Sequence, residues 1–211
     1  MTLKDTVYNF IAQQLVLGKI QRSEHLTEQS LAEQLGTSRT PIREALLQLE
    51  ADGVLVRQAH KGFKIRYYTQ KDSQELYTLI GLLDGKIAAL ASPYLTKKDY
   101  ATMNFLVDSM DSAISNELFI KYNELQEQFH NVYLAKCPND LLKRDLLNKK
   151  RSFIGKNYAR LQPKVITDLL QATNQEHASI LKLFQAHKIA DLRHFIEQTH
   201  WSPQNSQYDI W

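Results

Sequence analysis

Two arginines, one helical turn apart, are the first residues of this sequence whose chemistry suits recognition of a nucleic acid. Arg39 and Arg43 lie at the start of a predicted helix, where Ser38 and Thr40 flank the first of them. A guanidinium fork can bond guanine O6 and N7 together, or clamp a phosphate. Backbone donors at a helix start add a phosphate site. The N-terminal face with Ser38, Arg39, Thr40 and Arg43 is therefore the predicted DNA-reading surface.

A second basic group lies at His60 and Lys61, directly before Gly62. The residues on either side, 54–56 and 63–65, have the composition of short strands, so the segment is predicted to be a hairpin. A glycine at its tip would let the turn approach a duplex closely. We expect His60, Lys61 and Gly62 to contact DNA.

Hydrophobic periodicity predicts the elements that position these residues. A first helix is followed by a short second helix that Thr27 can cap and that ends at Gly36. After a tight turn, a third helix tolerates Pro41 in its first turn. Three helices and a two-stranded wing within residues 1–66 predict a winged helix-turn-helix, whose third helix can lie in a major groove.

Charge is concentrated in the same region. Residues 38–66 hold six basic and three acidic residues, a surplus equal to the net charge of +3 of the whole chain. A charge run alone is usually just a solvated face. The alternative interpretation is thus that Arg39 and Arg43 are only surface charges on a helical domain.

The segment LTEQSLAEQLGTSRTPIREALLQLEADGVLVRQAHKGFKI resembles the DNA-binding domain of the GntR family of bacterial regulators, and LAEQLGTSRTPIREAL is nearly the family pattern. The resemblance implies that Arg39, Thr40 and Arg43 contact operator DNA and that residues 60–62 form the wing tip. It also implies a sequence-specific transcriptional regulator whose partner is double-stranded DNA.

The rest of the chain is predicted to be helical. Residues 67–72 are interpreted as a linker, 73–201 as a second domain and 202–211 as an extended or loosely docked tail. Helices are predicted near residues 71–91, 97–115, 117–136, 139–160, 165–186 and 189–201. Six such helices favour an antiparallel bundle, so the predicted fold class is mainly α.

Three histidines of this predicted bundle lie on apolar helix faces. His177 begins an apolar series at i, i+3, i+4 and i+7, His130 follows Phe129, and His200 lies four residues after Ile196. Neutral imidazole binds zinc, nickel and similar ions, so three inward histidines could form a metal site. Taken singly, each is more commonly a hydrogen-bonded core histidine.

The motifs EQFH at 127–130, CPNDLL at 137–142 and EHASIL at 176–181 resemble the FCD effector domain of the FadR subfamily. The resemblance implies a homodimer and a small-molecule effector. In many members a divalent metal lies between one aspartate and three histidines, and a carboxylate effector completes its coordination. The implied effector-binding residues are Gln126, His130, His177 and His200, with the three histidines as metal ligands.

The sequence departs from this pattern in three places. The aspartate expected four residues before the histidine of EQFH is Gln126, and a neutral amide is a poor substitute for a carboxylate in holding a dication. Counting from His177 puts Thr199, not His200, at the last histidine position. An arginine that often holds the effector is Ile80 here. The pocket is therefore either a weakened divalent-metal site, for zinc or nickel, or a metal-free site for a less anionic ligand.

The composition of the chain bears on whether the protein is a membrane, secreted or cytoplasmic protein. No apolar run approaches the roughly 18 residues of a membrane span, and the first ten residues, MTLKDTVYNF, carry charge where a signal peptide is apolar. The single Cys137 cannot form an internal disulfide and is interpreted as a small buried hydrophobe. We expect a cytoplasmic protein with no membrane partner.

The leading hypothesis is a ligand-responsive transcription factor that reads an inverted repeat as a homodimer, with effector binding changing the spacing of its two DNA-reading domains. The alternatives are a metal-dependent enzyme and an architectural DNA-binding protein without an effector. We do not expect an enzyme, because no carboxylate is clearly placed as general base and no nucleophile stands beside a histidine.

Overall fold

The computed structural model describes residues 2–153 and 162–209, which form two compact units. The first unit comprises the described parts of Met1–Lys71, Leu147–Asn157 and Asp209–Trp211. The second comprises Asp72–Leu146 and the described part of Tyr158–Tyr208. The division after Lys71 falls inside the predicted linker. The segment from Leu147, in contrast, was expected to belong to the second domain throughout.

Residues 2–66 of the first unit form three helices and one hairpin, as the sequence predicts. Its elements are α1 (Leu3–Val16), α2 (Glu28–Leu35), α3 (Arg39–Ala51), β1 (Leu55–Gln58) and β2 (Gly62–Ile65). Helix α2 begins where the Thr27 hydroxyl accepts a hydrogen bond from the Ser30 amide, and it ends at Gly36 in the left-handed conformation. The left-handed Gly36 ends α2 and begins the tight turn before α3.

One apolar core holds the unit together. Apolar side chains of α1 and α2 pack against α3, and the hairpin closes the core from the other end of α3. Because α3 is buried only along one stripe, its opposite face stays in solvent. The buried residues are Val7, Ile11, Leu15, Leu26, Leu31, Ala32, Ile42, Ala45, Leu46, Leu49, Val54, Leu55, Phe63 and Ile65.

The short segment Arg151–Phe153 also belongs to the first unit. The guanidinium of Arg151 pairs with the carboxylates of Asp5 and Asp52. The Tyr68 hydroxyl lies 2.9 Å from the Ser152 hydroxyl, to which it donates. Sequence periodicity gave no indication of these contacts, since they join residues far apart in the chain.

The second unit is helical over its described residues. The described helices that lie wholly or mostly in it are α4 (Gln70–Ala91), α5 (Lys97–Ser115), α6 (Phe119–Leu134), α7 (Asp140–Lys150), α8 (Pro163–Gln185) and α9 (Ile189–Phe195). Helix α5 packs against α6 and α8, and α8 packs against α9. The mainly α fold class is confirmed. No helix in the described part of the chain combines the length and the apolarity that crossing a bilayer requires.

One helix prediction was wrong in part, and the tail differs from an extended segment. The helix predicted over 139–160 ends at Lys150 and continues as a 3-10 turn, Arg151–Phe153; the remainder of that prediction lies outside the described residues. Over its described residues the tail is not extended, because Pro203–Asp209 forms a 3-10 helix and the Ser206 side chain is fully buried. The Ser206 hydroxyl donates to the Pro203 carbonyl, which supports this turn.

Candidate functional site

The predicted DNA-reading residues lie together at the start of α3. Ser38 is the N-cap residue, and its side chain makes no capping hydrogen bond. Arg39, Thr40 and Arg43 follow on the exposed face, with 67% and 57% of the two arginine side chains accessible. Ile42 and Leu46 of the same helix are buried, so the core fixes the direction in which this polar face points.

A carboxylate that sequence reasoning missed lies between the two arginines. Glu28, in the first turn of α2, is 3.5 Å from Arg39 Nη2 and 3.8 Å from Arg43 Nε. These distances, with the exposure of both guanidiniums, describe loose and solvent-screened pairs worth less than about 1 kcal/mol each. Glu28 can therefore orient the arginines without preventing them from binding a stronger partner.

The wing tip is the turn between β1 and β2. The strands pair antiparallel, with Leu55 opposite Ile65 and Gln58 opposite Gly62. His60 and Lys61 are exposed in the turn, and His60 has a φ of +60°. Both side chains are therefore accessible to a partner at the tip of the wing.

The structure requires a glycine at position 62 for a reason other than the predicted approach to DNA. Its φ is +91°, and a Cβ added there would lie 2.5 Å from the Leu26 carbonyl oxygen. Leu26 pairs with Phe63 through two backbone hydrogen bonds of 2.7 and 2.9 Å, which draws the hairpin against the residue before Thr27. The glycine is therefore required by the packing of the wing within the protein.

The three predicted histidines converge in the second unit. His130 on α6, His177 on α8 and His200 after α9 are all buried, and a ligand atom from each lies within 4.8 Å of those of the others. His130 Nε2 is 3.3 Å from His177 Nε2 and 3.3 Å from His200 Nε2. Three imidazole nitrogens from three separate elements thus face one point.

A π-helical turn, Ile196–His200, explains why His200 and not Thr199 reaches the cluster. The Trp201 amide donates to the Ile196 carbonyl five residues earlier, at 3.0 Å, as in a π turn. This wider turn keeps Leu192, Ile196 and His200 buried at a constant spacing of four residues. Thr199 is exposed. The family spacing counted from His177 does not anticipate the extra residue, whereas the apolar spacing from Ile196 does.

Gln126 lies one turn before His130 on α6 and is half-buried. Its amide donates to the Asn123 side-chain oxygen at 3.2 Å. Gln126 carries no charge, so the first carboxylates near the cluster come from other positions. Ile80, at the position expected for an effector-binding arginine, is fully buried on α4.

Two carboxylates that the sequence analysis did not identify contact the histidines. Asp84 of α4 is fully buried and lies 3.5 Å from His130 Nδ1. Glu176 Oε2 is 2.9 Å from His200 Nδ1. Asp84 could have been suspected, because it interrupts an otherwise apolar stripe of α4 four residues after Ile80. Its partners could not, since they belong to distant parts of the chain.

Asp84 accepts two hydrogen bonds from buried aromatic residues. The Tyr133 hydroxyl donates to Oδ1 at 2.8 Å, and Trp201 Nε1 donates to Oδ2 at 2.8 Å. Tyr133 is also 2.6 Å from His130 Nδ1. Burial raises the pKa of the Tyr133 hydroxyl well above its ordinary value, and the nearby charge of Asp84 adds to this, so the hydroxyl keeps its proton.

Comparison with known proteins places both units. Residues 3–65 match the family described as "Bacterial regulatory proteins, gntR family", and residues 75–199 match the FCD domain, which is more than half of the chain. Two uncharacterised HTH-type transcriptional regulators of Mycobacterium tuberculosis are 31% identical over 116 residues, 55% of this chain; the match spans about half of their length, 48%.

Two further comparisons cover nearly the whole chain. The HTH-type transcriptional regulator McbR of Escherichia coli is 27% identical over 195 residues, 92% of this chain and 77% of McbR. The solved structure of E. coli McbR/YncC superposes with a TM-score of 0.77 at 22% identity, covering 99% of both chains, and shares the fold. The family and its named relatives are transcriptional regulators, not enzymes. The chain belongs to the GntR family of bacterial regulatory proteins, with an FCD domain following its DNA-binding domain.

Proposed function

We propose that this chain is a cytoplasmic, ligand-responsive transcriptional regulator that binds operator DNA through the start of α3 and the wing. The exposed pair Arg39 and Arg43 at the N-terminus of α3 carries this proposal. Their guanidinium forks are available to base edges or phosphates, and Lys61 at the wing tip adds a positive charge. The buried face of α3 supplies the rigid support that such reading requires.

The regulator acts as a homodimer on an inverted repeat. One recognition helix contacts only a few base pairs, which is too little sequence to select one site in a genome, so two half-sites are needed. A two-fold dimer presents two identical reading helices, and its operator carries the same symmetry.

Selection from random duplexes with the full chain tests this directly. We expect enrichment of a short inverted repeat, and light scattering of the complex should give two chains per duplex. Enrichment of no sequence, or a monomer both free and on the selected DNA, would contradict the proposal.

The histidine cluster is the proposed effector site, and its donor set suits a divalent metal. Three buried imidazole nitrogens facing one point are the ligands that zinc or nickel accepts, and three protein ligands leave positions for an effector. The Glu176 carboxylate beside His200 Nδ1 directs the other nitrogen of that ring, Nε2, to the cluster. His130, His177 and His200 would hold the metal, which would polarise and anchor an anionic group of the effector.

Titration of chelator-treated protein with zinc and with nickel tests this part. We expect one metal per chain and loss of binding in His177→Ala. Absence of binding by the folded wild type would leave a metal-free pocket for a less anionic ligand, and the DNA-binding proposal would be unaffected.

A further inference from the structure

The fully buried Asp84 lies beside the histidine cluster without belonging to it. We propose that Asp84, acting through the Tyr133 hydroxyl, is a positioning residue that holds His130 in the tautomer whose Nε2 faces a bound metal. The inference rests on the proposed metal site and assigns it a carboxylate from α4.

The direction of the hydrogen bonds follows from the donors present. An ionised carboxylate only accepts, and Asp84 is approached by the Tyr133 hydroxyl and by Trp201 Nε1, each at 2.8 Å. Trp201 has a single side-chain donor, and Tyr133 has one proton. That proton therefore points to Asp84, and the Tyr133 oxygen turns its lone pairs to the neighbouring ring.

His130 Nδ1 is that neighbour, 2.6 Å from the Tyr133 oxygen and 3.5 Å from Asp84 Oδ2. Both atoms are acceptors toward it, so Nδ1 carries the proton and donates. A neutral imidazole protonated at Nδ1 has its lone pair at Nε2, the atom that faces His177 and His200. The tautomer of His130 is thus set from outside the cluster.

Glu176 acts on His200 in the same way. Its carboxylate oxygen is 2.9 Å from His200 Nδ1, which leaves the His200 lone pair at Nε2. The Nε2 atoms of His130 and His200 then face each other as two acceptors 3.3 Å apart. Both lone pairs are then directed at the position that a bound cation would take, and His177 Nε2 lies 3.3 Å from the first of them.

Asp84 also compensates for the charge that Gln126 lacks. A carboxylate one hydrogen bond away from a ligating histidine raises the basicity of the ring and fixes its orientation. Here the negative charge reaches the site through Tyr133 from α4, whereas the carboxylate expected on α6 is absent. The neutral residue at 126 is therefore compatible with metal binding.

Two glycines allow α4 to bring Asp84 this close. A Cβ on Gly81 would lie 3.0 Å from Trp201 Cβ, and one on Gly85 would lie 2.8 Å from Glu197 Cγ. The α4 backbone thus packs directly against the π turn that carries His200. Asp84 lies between these glycines in sequence, next to Gly85, and reaches Trp201 as a result.

Nuclear magnetic resonance of the full chain, labelled with 15N-histidine and stripped of metal, measures the tautomer. We expect His130 to show a protonated Nδ1 and an unprotonated Nε2, with the signal assigned by its loss in His130→Gln. In Asp84→Asn one terminal atom becomes a donor, so both aromatic donors can no longer be accepted and the Nδ1-protonated fraction should fall. A wild-type His130 protonated at Nε2 would overturn the proposal, whether or not any variant folds.

Zinc affinity, measured by competition with a chromophoric chelator, gives the second readout. We expect Asp84→Asn and Tyr133→Phe each to weaken zinc binding roughly 10- to 100-fold. Tyr122→Phe, which removes another fully buried hydroxyl from α6, is the matched control and should retain wild-type affinity. Wild-type affinity in folded Asp84→Asn would contradict the inference.

The two measurements separate this inference from the proposed metal site. If the wild type binds no metal but His130 has the expected tautomer, the metal proposal fails and the role of Asp84 stands. If the wild type binds metal and Asp84→Asn changes neither the metal affinity nor the tautomer of His130, the metal proposal stands and the role of Asp84 fails.

Discussion

At the scale of single residues, we predict that Lys61 at the wing tip adds affinity for DNA without selecting a sequence. It is exposed beside His60 in the turn between the strands. Lys61→Ala should weaken binding about equally on all duplexes and reduce the slope of log affinity against log salt by about 1, because one phosphate contact is lost. His60→Ala should act in the same direction.

Anisotropy titrations at several salt concentrations measure this slope. Lys98→Ala, which removes an exposed lysine of α5, serves as control and should leave the slope unchanged. A loss confined to one base pair of the operator would show that Lys61 reads a base in the major groove instead.

Substitution of Gln126 measures how much the missing negative charge lowers the zinc affinity of the histidine cluster. Replacing it by aspartate restores an anionic group one turn before His130, so Gln126→Asp should raise zinc affinity measurably. Chelator competition on both proteins gives the comparison. A full equivalent of tightly held metal in the wild type, with no gain in the variant, would mean that Asp84 and Glu176 already supply the charge.

Residues differ in how far the sequence could predict them. Arg39 and Arg43 follow from local signals alone: a cap, a tight turn and one apolar stripe. His130 and His177 follow from their apolar faces. Asp84 did not, because its function depends on hydrogen bonds to Tyr133 and Trp201, which only the folded chain brings together.

At the scale of elements, the capping box at the start of α5 stabilises this helix. The Thr96 hydroxyl accepts from the Asp99 amide, while the Asp99 carboxylate accepts from the Thr96 amide at 2.7 Å. The hydrogen bonds from the Thr96 hydroxyl and amide hold the pKa of Asp99 at about 2, with help from Lys136. Thr96→Ala should therefore lower the free energy of unfolding at pH 7 by about 1 kcal/mol.

The effect of pH on this difference has a defined sign. Because the Asp99 pKa is lower in the folded chain, its contribution is present above its unfolded value near 3.8 and is lost as the pH falls toward 2. The gap between wild type and Thr96→Ala in urea unfolding should narrow over that range. Thr102→Ala on the same helix is the control; an equal loss there would indicate a general effect of threonine removal.

Element boundaries were predictable where a cap or a glycine marks them, as at Thr27 and Gly36. They were not predictable where the apolar period continues past the helix. The end of α7 at Lys150 is of this kind, since Arg151 leaves the helix to pair with Asp5 and Asp52. The π turn before Trp201 is another, because its extra residue preserves the apolar spacing.

At the scale of the molecule, the chain combines two units of different architecture. The first has its own core and an exposed basic reading face, and the second surrounds a buried group of histidines. Each unit matches a different family model: residues 3–65 match the gntR family and residues 75–199 match the FCD domain. Coupling between effector and DNA requires that the ligand bind one arrangement of the two reading domains more tightly than another.

The proposed function depends first on the recognition of DNA by the start of α3. Anisotropy titration of the selected duplex with Arg39→Ala and Arg43→Ala tests it most directly, with Arg144→Ala, whose side chain is 70% exposed on α7, as control. We predict that each recognition-helix variant stays folded and loses about 1–3 kcal/mol of specific binding, roughly 5- to 150-fold, while the control binds as wild type. Unchanged affinity and sequence preference in both variants would contradict DNA recognition by the start of α3.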